Sequence, residues 1–297
     1  MDYYSEIKNE LIDNEINKQV KDFSKNKYEL QKNYNVGKLL SDAGKHYGEN
    51  IIGSYSKKLI LEVDKKYNTT NLKRMRQFYW MIEKGATLSH QLSWSHYIEL
   101  LPLKDNINKI NYYINIISKQ NIAIRQLRER IKSKEYERLP EYTKNKLVTK
   151  EKSNIEDFIK NPIIIKNNSN SNCEIISEKF LQKLILEDIP AFLDELGIGF
   201  TFIRNEYKIK IGNSYNYIDL LLFNYKYNCF VVIELKVTEL KKEHIGQIEI
   251  YMNYIDKNVK GLNHDNTIGI IISRKNNKFV MEYCSDKRIL SKEYALS

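Results

Sequence analysis

At 297 residues and 42% apolar content, the chain is long enough for two ordinary domains and too apolar for wholesale disorder. Its net charge of +10 is uneven: residues 1–175 carry 31 basic and 22 acidic side chains (+9), and residues 176–297 carry 17 and 16 (+1). Cys173, Cys229 and Cys284 lie far apart with no CxxC pair, and no run approaches the ~20 apolar residues of a spanning helix, which disfavours a disulfide framework, a zinc site and a membrane protein and leaves a cytoplasmic one.

Residues 1–140 read as helical throughout. Apolar residues recur at three- and four-residue spacings over 5–32, 37–48, 54–67, 71–84, 93–101, 105–118 and 121–138. In 54–67, Tyr55, Leu59, Ile60 and Val63 form one stripe. The turn Asn68-Thr69-Thr70-Asn71 offers capping oxygens to a helix holding Leu72, Met75, Phe78, Tyr79 and Ile82. Two short helices across a tight polar turn have helix-turn-helix character, a pattern also common in helical proteins that bind no DNA. Lys73, Arg74 and Arg76 open the second helix, where a recognition helix presents side chains to a groove. Arg125, Arg128 and Lys132 fall at i, i+3 and i+7 and make one basic face, extended by Arg130, Lys134 and Arg138; phosphate contact and a solvated surface are the two readings. Trp94 and His96 read as a core pair and not as ligands.

Residues 141–173 read as a linker. Charge dominates 141–157, the run 166–172 has nothing to bury, and Pro140 and Pro162 punctuate the stretch. From 174 to 297 the period changes. A helix over 176–196, kinked or split by Pro190 and capped by Gly197, precedes strands at 200–211, 215–224, 228–238, 267–273 and 278–284. A helix over 241–258 lies between the third and fourth strands. The order describes a mixed sheet flanked by helices, and the whole chain a two-domain α+β/α/β protein: a helical domain at 1–140, the linker, and an α/β domain at 174–297.

Alternation in the strand Phe230–Val237 (residues 230–237) puts Val231, Ile233, Leu235 and Val237 on one face and Val232, Glu234 and Lys236 on the other. Two charges thus share one face of an apolar strand. Asp219 interrupts the apolar strand before it, and pairing of the two as a hairpin brings Asp219 to Glu234 and Lys236. Burying these groups alone costs several kcal/mol each. A hard divalent cation balances them: Mg²⁺, with Mn²⁺ as its substitute, takes carboxylate oxygens, water and substrate phosphate, and lowers the pKa of its bound water. Lys236 can stabilise charge on the phosphate. The competing reading is a structural Glu–Lys pair with Asp219 a turn residue.

The spacing Asp219-x14-Glu234-x-Lys236 resembles the motif of PD-(D/E)XK nucleases, with Ile218 in place of the motif's Pro. Gln247-x-x-x-Tyr251, on one face of the following helix, is similar to the Q-x-x-x-Y motif of several branches of that superfamily. Further stretches, among them 71–78, 92–96, 127–131 and 193–200, resemble the YhcG-type family within it. The resemblance implies a helical N-terminal domain of helix-turn-helix character joined to a C-terminal nuclease domain of restriction-endonuclease-like fold. It implies Asp219, Glu234 and the backbone carbonyl of Leu235 as metal ligands, Lys236 as catalytic, and Gln247 reaching water or phosphate, with Tyr251 beside it. Where relatives carry an additional Glu on the first nuclease helix, this chain has Gln182, with Glu178 one turn earlier. The resulting expectation is a Mg²⁺-dependent endonuclease on double-stranded DNA. Double-strand cutting with one active site per chain makes a homodimer natural. The alternatives are a catalytically inactive DNA-binding or assembly protein with a degenerate nuclease fold, and an RNA-directed nuclease.

Overall fold

The computed structural model describes residues 2–17, 25–48, 50–149, 151, 153–167 and 177–297. It divides into two compact units, Met1–Tyr136 and Glu137–Ser297. Among the described residues no helix is long and apolar enough to cross a membrane.

The first unit is helical: α1 (Tyr3–Asn17), α2 (Lys25–Tyr47), α3 (Ile51–Glu62), α4 (Thr69–Glu83), α5 (Trp94–Leu100), α6 (Ile107–Gln120) and α7 (Ile124–Lys132). The expected helix over 5–32 crosses 18–24, outside the described residues; its second part runs on as α2, which takes in the expected 37–48 segment. Asn68 caps α4, its side chain accepting the Asn71 N–H at 3.1 Å. A core of Ile7, Leu11, Val36, Leu40, Leu59 and Leu72, with others, joins α1 to α4. Gly37 lets α2 meet α4 backbone to backbone: a Cβ there would lie 2.2 Å from the Met75 carbonyl oxygen. Trp94 packs edge-on against Phe78, ring centres 5.3 Å apart, and His96 is held by Ser93 and the Ile122 carbonyl. Helix α7 stops at Ser133, short of the expected 138, and Lys134 turns the chain with a φ of 54°.

The second unit contains α8 (Glu141–Thr149), β1 (Ile163–Ile165), α9 (Glu178–Glu187), α10 (Ile189–Leu196), β2 (Phe200–Ile211), β3 (Ser214–Asn224), β4 (Cys229–Glu239), α11 (Lys242–Asn258), β5 (Asp265–Lys275), α12 (Lys278–Glu282) and β6 (Ile289–Leu296). The sheet order is β1-β6-β5-β4-β3-β2, with β2, β3 and β4 antiparallel and β4, β5, β6 and β1 parallel. Two cores cover its faces. Val231, Ile233 and Leu235 of β4 pack with Leu181, Leu184, Ile185 and Phe192 of α9 and α10. Val232 packs on the other side with Ile248, Tyr251, Met252 and Ile255 of α11. The helical segment after 176 is split at Asp188, which caps α10, and Pro190 sits in the first turn of α10 where no N–H is needed.

Two sequence expectations are corrected here. The stretch 141–165 is not a linker: it holds α8, a 3-10 turn (Ile155–Phe158) and β1, and it is part of the second unit. Its charges hid its anchors, because Ile155, Ile159, Ile163 and Ile165 are buried and Asp157 is held inside by Lys146 at 3.1 Å. The remainder of the expected linker at 168–173, Cys173 included, lies outside the described residues. The expected strand at 278–284 is instead α12, capped by Asn277, and the last strand is β6. Phe279 and Tyr283, which gave the strand-like reading, are exposed; burial never rewarded the alternation.

Candidate active site

Strands β3 and β4 pair from Asn224↔Cys229 to Leu220↔Ile233 and then part, β3 staying with β2 and β4 with β5. The fork leaves backbone groups of both strands without ladder partners, which a buried site must satisfy by other means. Side chains supply them. The Asp219 carboxylate accepts the Leu235 N–H at 2.7 Å, and the Gln182 amide donates to the Asp219 carbonyl at 2.9 Å. One strand further, Lys236 Nζ lies 2.9 Å from Glu234 Oε1 and 3.4 Å from Glu178 Oε2 of α9. The structure therefore brings together Glu178, Gln182, Asp219, Glu234 and Lys236, from two strands and one helix.

The electrostatics are strained. Glu234 is 2% exposed, and its Oε2 is buried with no hydrogen-bond partner. Burial, then the neighbouring Asp219 charge, push the Glu234 carboxyl up to about 7, and the Lys236 ammonium only partly offsets this. Burial also raises Asp219, against the Leu235 N–H and Lys236, while Glu178 and Glu206 add to the rise. Burial alone would lower Lys236; the surrounding carboxylates, Glu234 foremost, hold it above its ordinary value. Among the described residues no group of three or more His, Cys, Asp and Glu converges as a metal centre. What the fork does offer is two buried carboxylates competing for one ammonium.

Gln182 is at the site as a donor to the backbone. Its amide hydrogen is committed to the Asp219 backbone, so it fixes the carbonyl beside the carboxylate. Gln247 and Tyr251 share a face of α11 and bond to each other, Gln247 Nε2 donating to the Tyr251 hydroxyl at 3.0 Å. Burial raises the Tyr251 phenol, and Glu234 and Asp219 add to it, which puts this face in the field of the carboxylates. His244 precedes Gln247 by one turn and is half-buried. Burial lowers its pKa and so does Lys236. Its Nδ1 accepts the Lys241 N–H at 3.1 Å, so the neutral ring carries its proton on Nε2. The signal that could have found it was its i−3 spacing from Gln247.

In the first unit, Lys73 and Lys132 are exposed and Arg74 is half-buried, bonded to Asn71 at 3.3 Å. Arg76 does not face a groove: it is 8% exposed, its guanidinium 4.6 Å from the centre of the Trp80 ring. Helix phase puts it on the buried side with Leu72 and Met75. Arg125 pairs with Glu129 at 3.4 Å and Arg128 with Glu99 at 2.6 Å. Arg130 turns inward to Glu135, and Arg138 in the second unit to Glu195. The basic face is narrower than its residue types suggest.

An antiparallel hairpin forked around an Asp, a Glu-x-Lys on its second strand, parallel strands beyond and a helix on either side define a domain of the PD-(D/E)XK nuclease class. Residues 156–297 match the family of the YhcG PDDEXK nuclease domain, and residues 8–138 match the DUF1016 N-terminal domain. The chain belongs to the YhcG-type family of PD-(D/E)XK nucleases. A relative is the YhcG protein of Escherichia coli (strain K12), 23% identical over 287 residues, which take in 84% of this chain and 73% of that one. Two solved structures are also similar, each 18% identical with a TM-score of 0.29: a repair endonuclease from Pyrococcus abyssi and the EndoMS–dsDNA2 complex. These matches cover 41% and 43% of this chain and about half, 49% and 48%, of the other chains.

Proposed function

We propose that this protein is a Mg²⁺-dependent endonuclease that hydrolyses phosphodiester bonds of double-stranded DNA at the β3–β4 fork. The observation that carries the reading is the pair of buried carboxylates, Asp219 and Glu234, with Glu234 Oε2 lacking any partner. Such a pair is costly without a cation, and its oxygens are the ligands Mg²⁺ prefers. Asp219, Glu234 and the Leu235 carbonyl would hold the ion, which would supply an activated water and charge stabilisation at the phosphate. Lys236 contributes a fixed positive charge for the phosphate in transition, kept protonated by its acidic neighbours. Gln182 keeps the Asp219 backbone in place. Gln247 positions a water or phosphate oxygen, and His244 Nε2–H, on the same helix face, is a neutral donor to the same group.

The first unit carries 24 basic and 16 acidic residues, +8, against 24 and 22, +2, in the second. Lys73, Arg74, Arg125, Arg128 and Lys132 on this unit would give the phosphate contacts that dominate non-specific affinity. Cutting both strands requires two such sites, which a homodimer supplies. A degenerate nuclease that only binds DNA is favoured by one observation, the neutral amide of Gln182 beside the carboxylate pair.

One experiment divides these readings: supercoiled plasmid, single-stranded DNA and RNA incubated with Mg²⁺, Mn²⁺ or EDTA. Plasmid nicking and linearisation that EDTA abolishes is the expected result. Binding without cutting in every metal points to the degenerate nuclease, and cutting of RNA alone moves the substrate to RNA.

A further inference from the structure

We propose that the exposed face of the β2–β3 hairpin is a nucleic-acid platform that carries the sugar–phosphate backbone of the strand being cut into the active site. The inference rests on the nuclease reading above and adds the surface that guides its substrate. Beyond Leu220 the hairpin runs to its turn at Gly212 with no β4 neighbour, and β2 is the edge of the sheet. Its inner face is fixed, since Ile209 and Ile218 are buried in the core under α11. Its outer face alternates two residue types across the strands: Lys208 opposite Tyr217, and Lys210 opposite Tyr215. Tyr215 and Tyr217 are 57% and 52% exposed, and Lys208 Nζ lies 3.8 Å from the centre of the Tyr215 ring.

Charge and placement identify the occupant. Neither lysine has an ion-pair partner among the described residues, and past Glu206, at the base of the arm near Asp219, this face carries no acid. Lysines beside flat aromatic rings combine phosphate neutralisation with a stacking surface for sugar or base. Tyr215, Tyr217 and Asp219 are alternate residues of one strand, so the platform begins ~7 Å from the catalytic carboxylate and extends to ~13 Å. That is the rise of about two to four nucleotides. A second copy of this chain adding its own edge strand is disfavoured, because lysines on an edge oppose such pairing.

The test uses the full chain. Binding of a short fluorescent DNA duplex is measured in EDTA over a salt series for wild type, Lys208→Gln/Lys210→Gln and Tyr215→Ala/Tyr217→Ala, with cleavage rates then taken at limiting and saturating protein. The lysine pair is expected to reduce the salt slope by about two units, and the tyrosine pair to weaken binding about tenfold with the slope unchanged. Both should slow cleavage at limiting protein and leave the saturated rate near wild type, with melting temperatures preserved. Wild-type affinity, slope and cleavage in both variants would overturn the platform while the nuclease reading stands. A tyrosine pair that turns a dimer into a monomer at unchanged DNA affinity would also overturn it, giving the face to a second copy. A wild type that neither binds nor cuts any nucleic acid overturns the proposal together with the reading beneath it.

Discussion

Each unit buries a glutamate almost completely, and the two differ in what surrounds them. Glu135, 3% exposed in the helical unit, accepts the Tyr112 hydroxyl at 2.7 Å and pairs with Arg130 at 3.3 Å. Glu234, 2% exposed in the α/β unit, has one ammonium to share with other carboxylates and an oxygen with no partner. The first is a charge whose cost has been met by an opposite charge and a hydrogen bond. The second is held near a like charge, and burial and Asp219 raise its carboxyl to about 7. A buried acid is therefore not a functional signal by itself. An acid whose nearest charged company includes another acid is one, because the fold keeps it at a cost that only a ligand removes.

The largest expected break in this comparison is catalytic. Asp219→Ala, Glu234→Ala and Lys236→Ala should each lower plasmid cleavage by on the order of a thousandfold or more with the circular dichroism spectrum retained. Glu135→Ala should do the reverse, costing about 3 kcal/mol of stability in denaturant unfolding through loss of the buried pair with Arg130 and of the Tyr112 hydrogen bond, with cleavage preserved at low temperature. Equal activity in all three fork variants would remove the site assigned here.

Next in size is a steric effect confined to the helical unit. Gly37→Ala sets a Cβ against the Met75 carbonyl, so α2 and α4 must separate, at a cost of about 2–3 kcal/mol. Circular dichroism melts of wild type and variant measure it, and an unchanged melt would mean that the two helices do not cross so closely.

A pH series probes the strain on Glu234 more finely. The Glu234 carboxyl is raised in the folded protein, so its contribution to stability is fully present below its ordinary value near 4.5 and is lost as pH rises through about 7. Metal-free wild type should lose melting temperature between pH 5 and pH 8 relative to Glu234→Gln. Mg²⁺ at pH 8 should restore wild type and leave the variant unmoved. Parallel pH curves for the two proteins would contradict the strained carboxylate pair.

Gln182→Glu gives a smaller effect. The substitution trades a donor for a charged acceptor facing the Asp219 carbonyl, so it should cost about 1–2 kcal/mol and slow cutting. Adding an acid would create a better metal site only if position 182 faced the ion, and a lower Mg²⁺ midpoint in titrations of the variant would show that it does. The smallest effect is expected on α7. Because Arg128 already pairs with Glu99 and Arg125 with Glu129, their joint replacement by Gln should reduce the salt slope of DNA binding by about one unit or less.

The sequence alone determined the parts that depend on neighbours along the chain. Alternation in 230–237 separated the core residues Val231, Ile233 and Leu235 from Glu234 and Lys236, because successive side chains of a strand must point to opposite faces. The polar turn at Asn68 announced its own cap, since the capping oxygen and the N–H it accepts are three residues apart. What tertiary structure decided depended on partners distant in sequence. Arg76 has the chemistry of a phosphate contact, yet the phase of α4 and the Trp80 ring turned it inward. The charged stretch 141–165 became part of the fold because four isoleucines found a sheet and a helix pair to pack on. Gln182 gained its place from the fork, where it meets the Asp219 carbonyl, and α11 set His244 in the field of Lys236 and Glu178. Local periodicity fixes which way a side chain points; only packing fixes what it meets.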